Sequence, residues 1–149
     1  MEKQETFKFK KIADMSGQEM YCIARLRIDT FVTEQKITEP ELDDQDFTAI
    51  QVFLLNKEQN RALAVCRIFK ENDQWVLGRV AVAAQTRGQR LGTKMMQQVH
   101  QYLRDLGVKQ LICHAQMQAK PFYDQLGYQT KGEVFTEAGI DHIMMYYNL

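Results

Sequence analysis

Apolar residues repeat with helical spacing in two parts of the chain. The clearer stripe recurs every three or four residues and consists of Leu91, Met95, Val99, Leu103 and Leu106. This spacing places the five side chains on one face of a helix, and Gly107 follows as a helix-ending glycine. Earlier in the chain, Ser16 and Glu19 have the spacing of a capping box. They predict a helix that begins after Ser16 and ends near 33–35.

Alternating or β-branched stretches predict strands around these helices. They cover residues 7–12, 49–55, 61–69, 74–84, 109–116, 128–135 and 142–147. Turn-forming segments separate the second, third and fourth stretches, which predicts an antiparallel meander. The strand, helix and strand between 74 and 116 predict a crossover between parallel neighbours. A short helix from Pro121 to Gly127 completes the order β-α-β-β-β-α-β-α-β-β, an α/β (α+β) fold with a mixed, mostly antiparallel sheet.

Composition excludes several classes of protein. The 149 residues are 45% hydrophobic and 26% charged, which is typical of one globular domain over 1–149. Lys plus Arg and Asp plus Glu each number 19, so the net charge is zero and we expect no nucleic-acid partner. No apolar run reaches the roughly 18 residues of a membrane helix, so we expect no membrane partner. Three scattered cysteines favour a reducing cytoplasm.

The segment from Val80 to Thr93 carries the strongest signal for a binding site. A buried strand runs into a turn that contains Arg87, Gly88 and Gly92, and then directly into the striped helix. Glycines allow close backbone approach to an anion, and the first N–H groups of a helix are unpaired donors. The segment predicts a phosphate or pyrophosphate site, the alternative being a tight turn with two solvated arginines. The glycine spacing matches neither a Walker loop nor a Rossmann fingerprint.

Two motifs on successive strand–helix units resemble those of a known family. Arg87-Gly-Gln-Arg-Leu-Gly92 resembles the pyrophosphate loop of the GNAT superfamily of acetyl-CoA-dependent N-acyltransferases, with Arg90 where the family pattern has glycine. The segment from Gln116 to Tyr128 resembles the family's Asn-x-x-Ala-x-x-hydrophobic-Tyr-x-x-x-Gly-Phe signature, with Gln116 for asparagine. An ElaA-like branch is indicated by similarity in three further segments, Phe31–Gln35, Gly78–Val80 and Glu133–Met145.

The resemblance implies a GNAT-like sheet whose central parallel strands splay apart, with acetyl-CoA as the acyl donor and no metal. It implies direct acetyl transfer to a primary amine of a small molecule or peptide, in a ternary complex. The residues it assigns to the cofactor are Val80, Ala81, Val82, Arg87, Gly88, Gln89, Arg90, Leu91, Gly92, Thr93, Gln116, Phe122 and Tyr123. A catalytically weak CoA-binding sensor or interaction module of the same fold is the alternative, and a homodimer stays open.

The resemblance assigns Tyr123 as the general acid for the leaving thiolate, the alternative being a core aromatic residue. The base has four candidates, namely His142, Glu34, Glu133 and His114. His142 has the reference pKa suited to a base near neutrality, and it is also a candidate substrate ligand, or a brace of the last strand. Glu34 is a candidate for the acceptor entrance or a simple helix end. His114 is interpreted as structural, because it and Cys113 point to opposite faces of one strand.

The acidic segment 39–46 lacks the residue order of an EF-hand calcium loop. We therefore expect a solvated loop there, whose negative charge attracts a cationic amine such as a polyamine.

Overall fold

A computed structural model describes residues 5–149 and contains a seven-stranded sheet in the order β1-β2-β3-β4-β5-β7-β6. The strands are β1 Lys8–Lys10, β2 Ile50–Leu55, β3 Ala62–Glu71, β4 Gln74–Val82, β5 Gln110–Gln116, β6 Gln129–Glu137 and β7 Ile140–Asn148. Every neighbouring pair is antiparallel except β4 and β5, which are parallel. The predicted mixed sheet with one central parallel pair is confirmed.

Four α-helices accompany the sheet in the described residues, α1 Gly17–Arg27, α2 Gln45–Thr48, α3 Leu91–Asp105 and α4 Lys120–Gln125. The predicted capping box is confirmed, because Ser16 Oγ accepts from the Glu19 N–H at 3.0 Å and Glu19 Oε1 accepts from the Ser16 N–H at 2.9 Å. After α1 the chain continues as a π-helix over Ile28–Glu34. The helical segment therefore ends where the sequence predicts, but its C-terminal part is π-helical and not α-helical.

Two apolar cores lie on opposite faces of the sheet. Alternate residues of β3 divide between them, with Cys66 in the core that contains the α3 stripe and Val65 in the core that contains α1. Four of the five predicted stripe residues of α3 are at most 2% exposed. Leu106 is 55% exposed, because α3 ends at Asp105 and Leu106 is its C-cap. The stripe therefore ends one turn earlier than the sequence predicts.

A β-bulge bends β4 at the centre of the sheet. Val65 faces Ala81 and Arg67 faces Gly78, so two residues of β4 lie opposite one residue of β3. Arg79, in the bulge, has a left-handed φ of 55°. On its other side β4 pairs with β5 only as far as Leu77 and Cys113. Beyond this point the two parallel strands separate, as the resemblance implied, and a cleft opens between them.

The acidic loop before β2 is solvated only in part, because Glu41 and Asp46 are buried while Glu39, Asp43 and Asp44 are exposed. Arg27 donates to Glu41 Oε2 and to Asp46 Oδ1, each at 2.7 Å, and its side chain is 1% exposed. Arg67 donates to Asp43 at 2.6 Å and to Asp46 at 2.9 Å. Three carboxylates of the loop are thus neutralised by arginines that are remote in sequence, whereas Glu39 and Asp44 are exposed and Glu39 lines the cleft between β4 and β5.

No helix among residues 5–149 has the length and apolar character needed to span a membrane.

Candidate functional site

The space between the separated ends of β4 and β5 is a cleft of about 750 Å³. Val80 and Val82 line it from β4, and His114 and Gln116 line it from β5. Because these strand segments do not pair with each other, β4 exposes backbone groups toward the cleft. Such an edge can form ladder hydrogen bonds with an extended chain that contains amides.

The N-terminus of α3 lies at one end of this cleft, where Gly92 is among the lining residues. No side chain caps the helix, and the N–H groups of Leu91, Gly92 and Thr93 have no backbone acceptor in the described residues. These donors carry the positive end of the helix dipole. Arg90 precedes them as the N-cap with φ 61° and ψ 26°, a left-handed conformation that explains why the family pattern has glycine at this position.

The side chains of the predicted cofactor residues do not all face solvent. Ala81 is 3% exposed in the core beside α1, and Leu91 is 2% exposed in the core of the α3 stripe. Only the backbone of these two residues is therefore available to a ligand. Arg87, Gly88, Gln89 and Arg90 are exposed, so they remain accessible to an anion.

Glu34, a candidate for the acceptor entrance or a simple helix end, does not line the cleft. Its carboxylate accepts from Arg87 Nη2 at 3.0 Å, with both side chains about half exposed. The hydrogen bond from Arg87 lowers the pKa of Glu34. Gln35, its neighbour, lines the cleft instead and accepts from Gln116 Nε2 at 2.9 Å.

Gly92 has a packing role in addition to its place in the loop. A Cβ atom at this position would lie 3.2 Å and 3.3 Å from two ring carbons of Phe122 and 3.6 Å from a methyl group of Val82. The lack of a side chain at Gly92 therefore allows α3 to contact the α4 aromatic residue closely across the cleft floor.

Substitution of Gly92 by alanine should destabilise the fold, since the ring of Phe122 or the start of α3 must shift. We expect a loss of about 1–3 kcal/mol, the usual cost of overpacking, in denaturant unfolding. Gly17→Ala is the matched control, because a Cβ at the first residue of α1 would meet nothing within 4 Å. Equal stabilities of the two variants would contradict this packing role.

Tyr123 of α4 is at the floor of the cleft, with 6% of its surface exposed. Its ring packs edge-on against Phe122 and Tyr128, at centroid distances of 5.1 Å and 5.3 Å. Its hydroxyl has no hydrogen-bond partner among residues 5–149. Burial, with a smaller contribution from Cys113 and Cys66, raises the pKa of Tyr123 well above its ordinary value. The hydroxyl thus keeps its proton at neutral pH.

The β6–β7 hairpin forms the opposite wall and carries His142. Cross-strand pairing sets Gln116 of β5 and Phe135 of β6 beside His142, whose side chain is 7% exposed. Of the four candidate bases, the cleft brings together His142 and His114. Glu133 is exposed on β6 and does not line the cleft.

His114 lines the cleft and contacts the β6–β7 hairpin. Cys113 is buried in the apolar core, as expected for its opposite orientation, whereas His114 lines the cleft and lies 3.1 Å from Glu137 Oε1. Glu137 was missed in the sequence. The Ala138-Gly139 turn fixes the hairpin register that pairs Glu137 with Ile140, and this register puts Glu137 on the same face as His142. The Ala138-Gly139 turn was thus the sequence feature from which the position of Glu137 could have been predicted.

The site is an elongated cleft bordered by the unpaired edge of β4. The N-terminus of α3, the buried Tyr123 side chain and His142 lie along it. These features suit binding of an extended amide chain that ends in a phosphate, with acid and base groups further along the slot. Within the described part of the chain, no group of three or more His, Cys, Asp or Glu side chains is placed to hold a metal ion.

Comparisons with known proteins agree with this geometry. A family model described as an acetyltransferase (GNAT) domain matches residues 11–149. A UPF0039 protein of Schizosaccharomyces pombe is 30% identical over 142 residues, which cover 93% of this chain and 94% of that protein. Protein ElaA of Escherichia coli is 29% identical over 137 residues, which cover 89% of this chain and 90% of ElaA.

Two solved structures are similar along nearly the whole chain. The crystal structure of Escherichia coli ElaA superposes with a TM-score of 0.85 at 26% identity, covering 95% of this chain and 98% of ElaA. An acyl-CoA N-acyltransferase from Pseudomonas aeruginosa superposes with a TM-score of 0.86 at 28% identity, with the same coverage of 95% and 98%.

Proposed function

Because the chain belongs to the GNAT acetyltransferase family and is homologous to ElaA, we propose that it transfers the acetyl group of acetyl-CoA directly to a primary amine of a small molecule or peptide. The observation that carries the proposal is the position of Tyr123, a residue only 6% exposed, at the floor of a cleft that opens between two separated parallel strands.

Acetyl-CoA is the acyl-donor substrate in this proposal, and its binding residues follow the cleft. Its pyrophosphate binds the free N–H groups at the start of α3 together with Arg87 and Arg90. Its pantetheine arm forms hydrogen bonds with the unpaired backbone of Val80 to Val82. Gln116, from the facing strand, and Phe122, from the floor, complete the walls of the slot.

The reaction needs a base for the amine, donors for the tetrahedral oxyanion and an acid for the thiolate. His142 accepts a proton from the ammonium form of the acceptor, and the lone pair of the resulting neutral amine then attacks the thioester carbon. An unpaired backbone N–H of β4 beside the cleft donates to the oxyanion. As the C–S bond breaks, Tyr123 gives its hydroxyl proton to the sulfur.

A free-thiol assay with acetyl-CoA tests the proposal across a panel of amines that includes polyamines, amino acids and a peptide. We expect thiol release above the amine-free rate with at least one acceptor class. Failure to bind CoA would overturn the assignment. Binding of CoA without turnover on any acceptor would instead favour a CoA-binding sensor.

We place this reaction in the cytoplasm. The three cysteines, Cys22, Cys66 and Cys113, are all buried free thiols, as is usual in a reducing compartment.

A further inference from the structure

Glu137 lies between two histidines on the hairpin wall of the cleft. Its Oε1 is 3.1 Å from His114 Nδ1, and its Oε2 is 3.8 Å from His142 Nε2. No Lys or Arg of the described residues forms an ion pair with Glu137. In contrast, Glu41, which lines the same cleft, is bonded to Arg27 and Arg79. Glu137 is therefore a carboxylate of the cleft whose charge is not neutralised by a cationic side chain.

The proton positions on the two histidines follow from their partners. His142 Nδ1 lies 2.8 Å from the carbonyl oxygen of Ile140, and a carbonyl oxygen only accepts, so Nδ1 carries the hydrogen. In neutral His142, Nε2 then has a lone pair and is itself an acceptor. His114 likewise donates its Nδ1–H to Glu137 Oε1, because a carboxylate only accepts.

Two hydrogen-bond acceptors consequently face each other across the cleft wall. The 3.8 Å between Glu137 Oε2 and His142 Nε2 exceeds the length of a direct hydrogen bond. Among residues 5–149, no N–H or O–H group donates a hydrogen bond to Glu137 Oε2 or to His142 Nε2. A group with several N–H donors and a positive charge satisfies both atoms, and an alkylammonium group has three such donors, as lysine does.

We propose that Glu137 Oε2 and His142 Nε2 together bind the ammonium group of the acceptor, and that Glu137 selects acceptors that are cationic alkylamines. This inference rests on the proposed acetyl transfer. One N–H proton passes from the ammonium to His142 Nε2, which yields a neutral amine and an imidazolium. Glu137 then balances the imidazolium charge while the amine nitrogen keeps its lone pair for attack.

His114 acts as a positioning residue in this arrangement. Its N–H holds one oxygen of Glu137, which leaves the other oxygen directed to His142. The Phe135 ring contacts both histidines, edge-on to His114 at 5.1 Å and stacked on His142 at 5.9 Å between centroids. The hairpin thus holds the carboxylate and the imidazole in fixed relation before an acceptor arrives.

The test measures ammonium binding separately from turnover. The full chain, saturated with CoA, is titrated with n-butylammonium chloride while the ring nitrogens of His142 are followed by NMR. We expect a saturable shift of the His142 signals in the wild type and a dissociation constant about 10- to 100-fold higher in Glu137→Gln, the range for loss of a charged hydrogen bond.

Glu133→Gln is the matched control, since Glu133 lies on the same strand, is exposed and does not line the cleft. It should bind n-butylammonium like the wild type. His114→Phe should weaken binding less than Glu137→Gln and leave the folded NMR spectrum intact. An unchanged affinity in Glu137→Gln, or no His142 response in the wild type, would overturn the proposal.

The thiol assay distinguishes this failure from failure of the proposed function. With the best acceptor of the amine panel, Glu137→Gln should raise KM about 10-fold or more while kcat changes little. If KM changed no more in Glu137→Gln than in Glu133→Gln, the role of Glu137 would be refuted, and the proposed acetyl transfer would be unaffected. Ammonium binding at His142 without any thiol release would refute acetyl transfer and leave this cation site standing.

Discussion

Tyr123→Phe should lower kcat about 100-fold or more, the lower end of the range for loss of a general acid, while the affinity for CoA stays unchanged. The substitution removes only the hydroxyl, which has no partner among the described residues, and keeps the ring contacts with Phe122 and Tyr128. Because the pKa of Tyr123 is raised by burial, the wild-type rate should show no loss from its ionisation between about pH 7 and 9. Steady-state kinetics with acetyl-CoA and an accepted amine measure these quantities.

Tyr128→Phe is the control for this result. Its hydroxyl bonds His100 Nε2 at 2.7 Å, and Tyr128 does not line the cleft. We expect it to lose about 1 kcal/mol of stability with its buried hydrogen bond and to retain kcat. If Tyr123→Phe also retained kcat, the hydroxyl would be a packing feature, and the thiolate would have to be protonated by another group.

Arg27→Met should destabilise the protein by about 3–5 kcal/mol, the usual cost of breaking a buried ion pair by removal of one partner. Arg27 is 1% exposed and bonds the carboxylates of Glu41 and Asp46. Methionine fills a similar volume but leaves both carboxylates without this partner. Denaturant unfolding at neutral pH gives the free energy directly, and the melting temperature should fall by about 10 °C.

Arg25→Met on the same helix provides the comparison. Its pair with Asp29 is 3.8 Å long with side chains 44% and 60% exposed, so we expect a change below about 0.5 kcal/mol. Similar losses in both variants would show that helix propensity, and not the buried network, determines the effect.

The effect of Arg27→Met should also depend on pH. Burial alone would raise the pKa of Asp46, but its bonds to Arg27 and Arg67 outweigh this and hold the pKa well below its ordinary value. A depressed carboxyl pKa adds stability above the unfolded value of about 3.9, and this stability is lost as the pH falls toward the folded value. The stability gap between wild type and Arg27→Met should therefore narrow below about pH 4.

The parts of the fold that were predictable from the sequence rest on local patterns. The α3 stripe, the capping box and the turn at Ala138-Gly139 each act within a few residues, and each is present, the stripe without its last predicted member, Leu106. The cofactor-binding end of the site could be proposed from the sequence for the same reason, since its glycines and arginines lie within one short segment. Its residue roles remain predictions until CoA binding is measured.

The parts that were not predictable depend on contacts between distant residues. The acidic loop was expected to be fully solvated, because no local pattern predicts ion pairs between distant residues. Arg27 and Arg67 both form such pairs with Asp46. The π-helical winding of Ile28–Glu34 has no local marker either. Glu137 was passed over in favour of Glu133, since the choice between two carboxylates of one strand depends on register with β7.

The position of β7 sets a condition on folding during synthesis. In the sheet this strand lies between β5 and β6, yet it follows both along the chain. While a ribosome is still making residues before Ile140, β5 has an unpaired edge and β6 has no neighbour in the sheet. Such edges are prone to wrong pairing with other chains. The wall that carries Glu137 and His142 is therefore the last part of this sheet to form, and mutations that slow β7 docking should reduce soluble yield before they reduce activity.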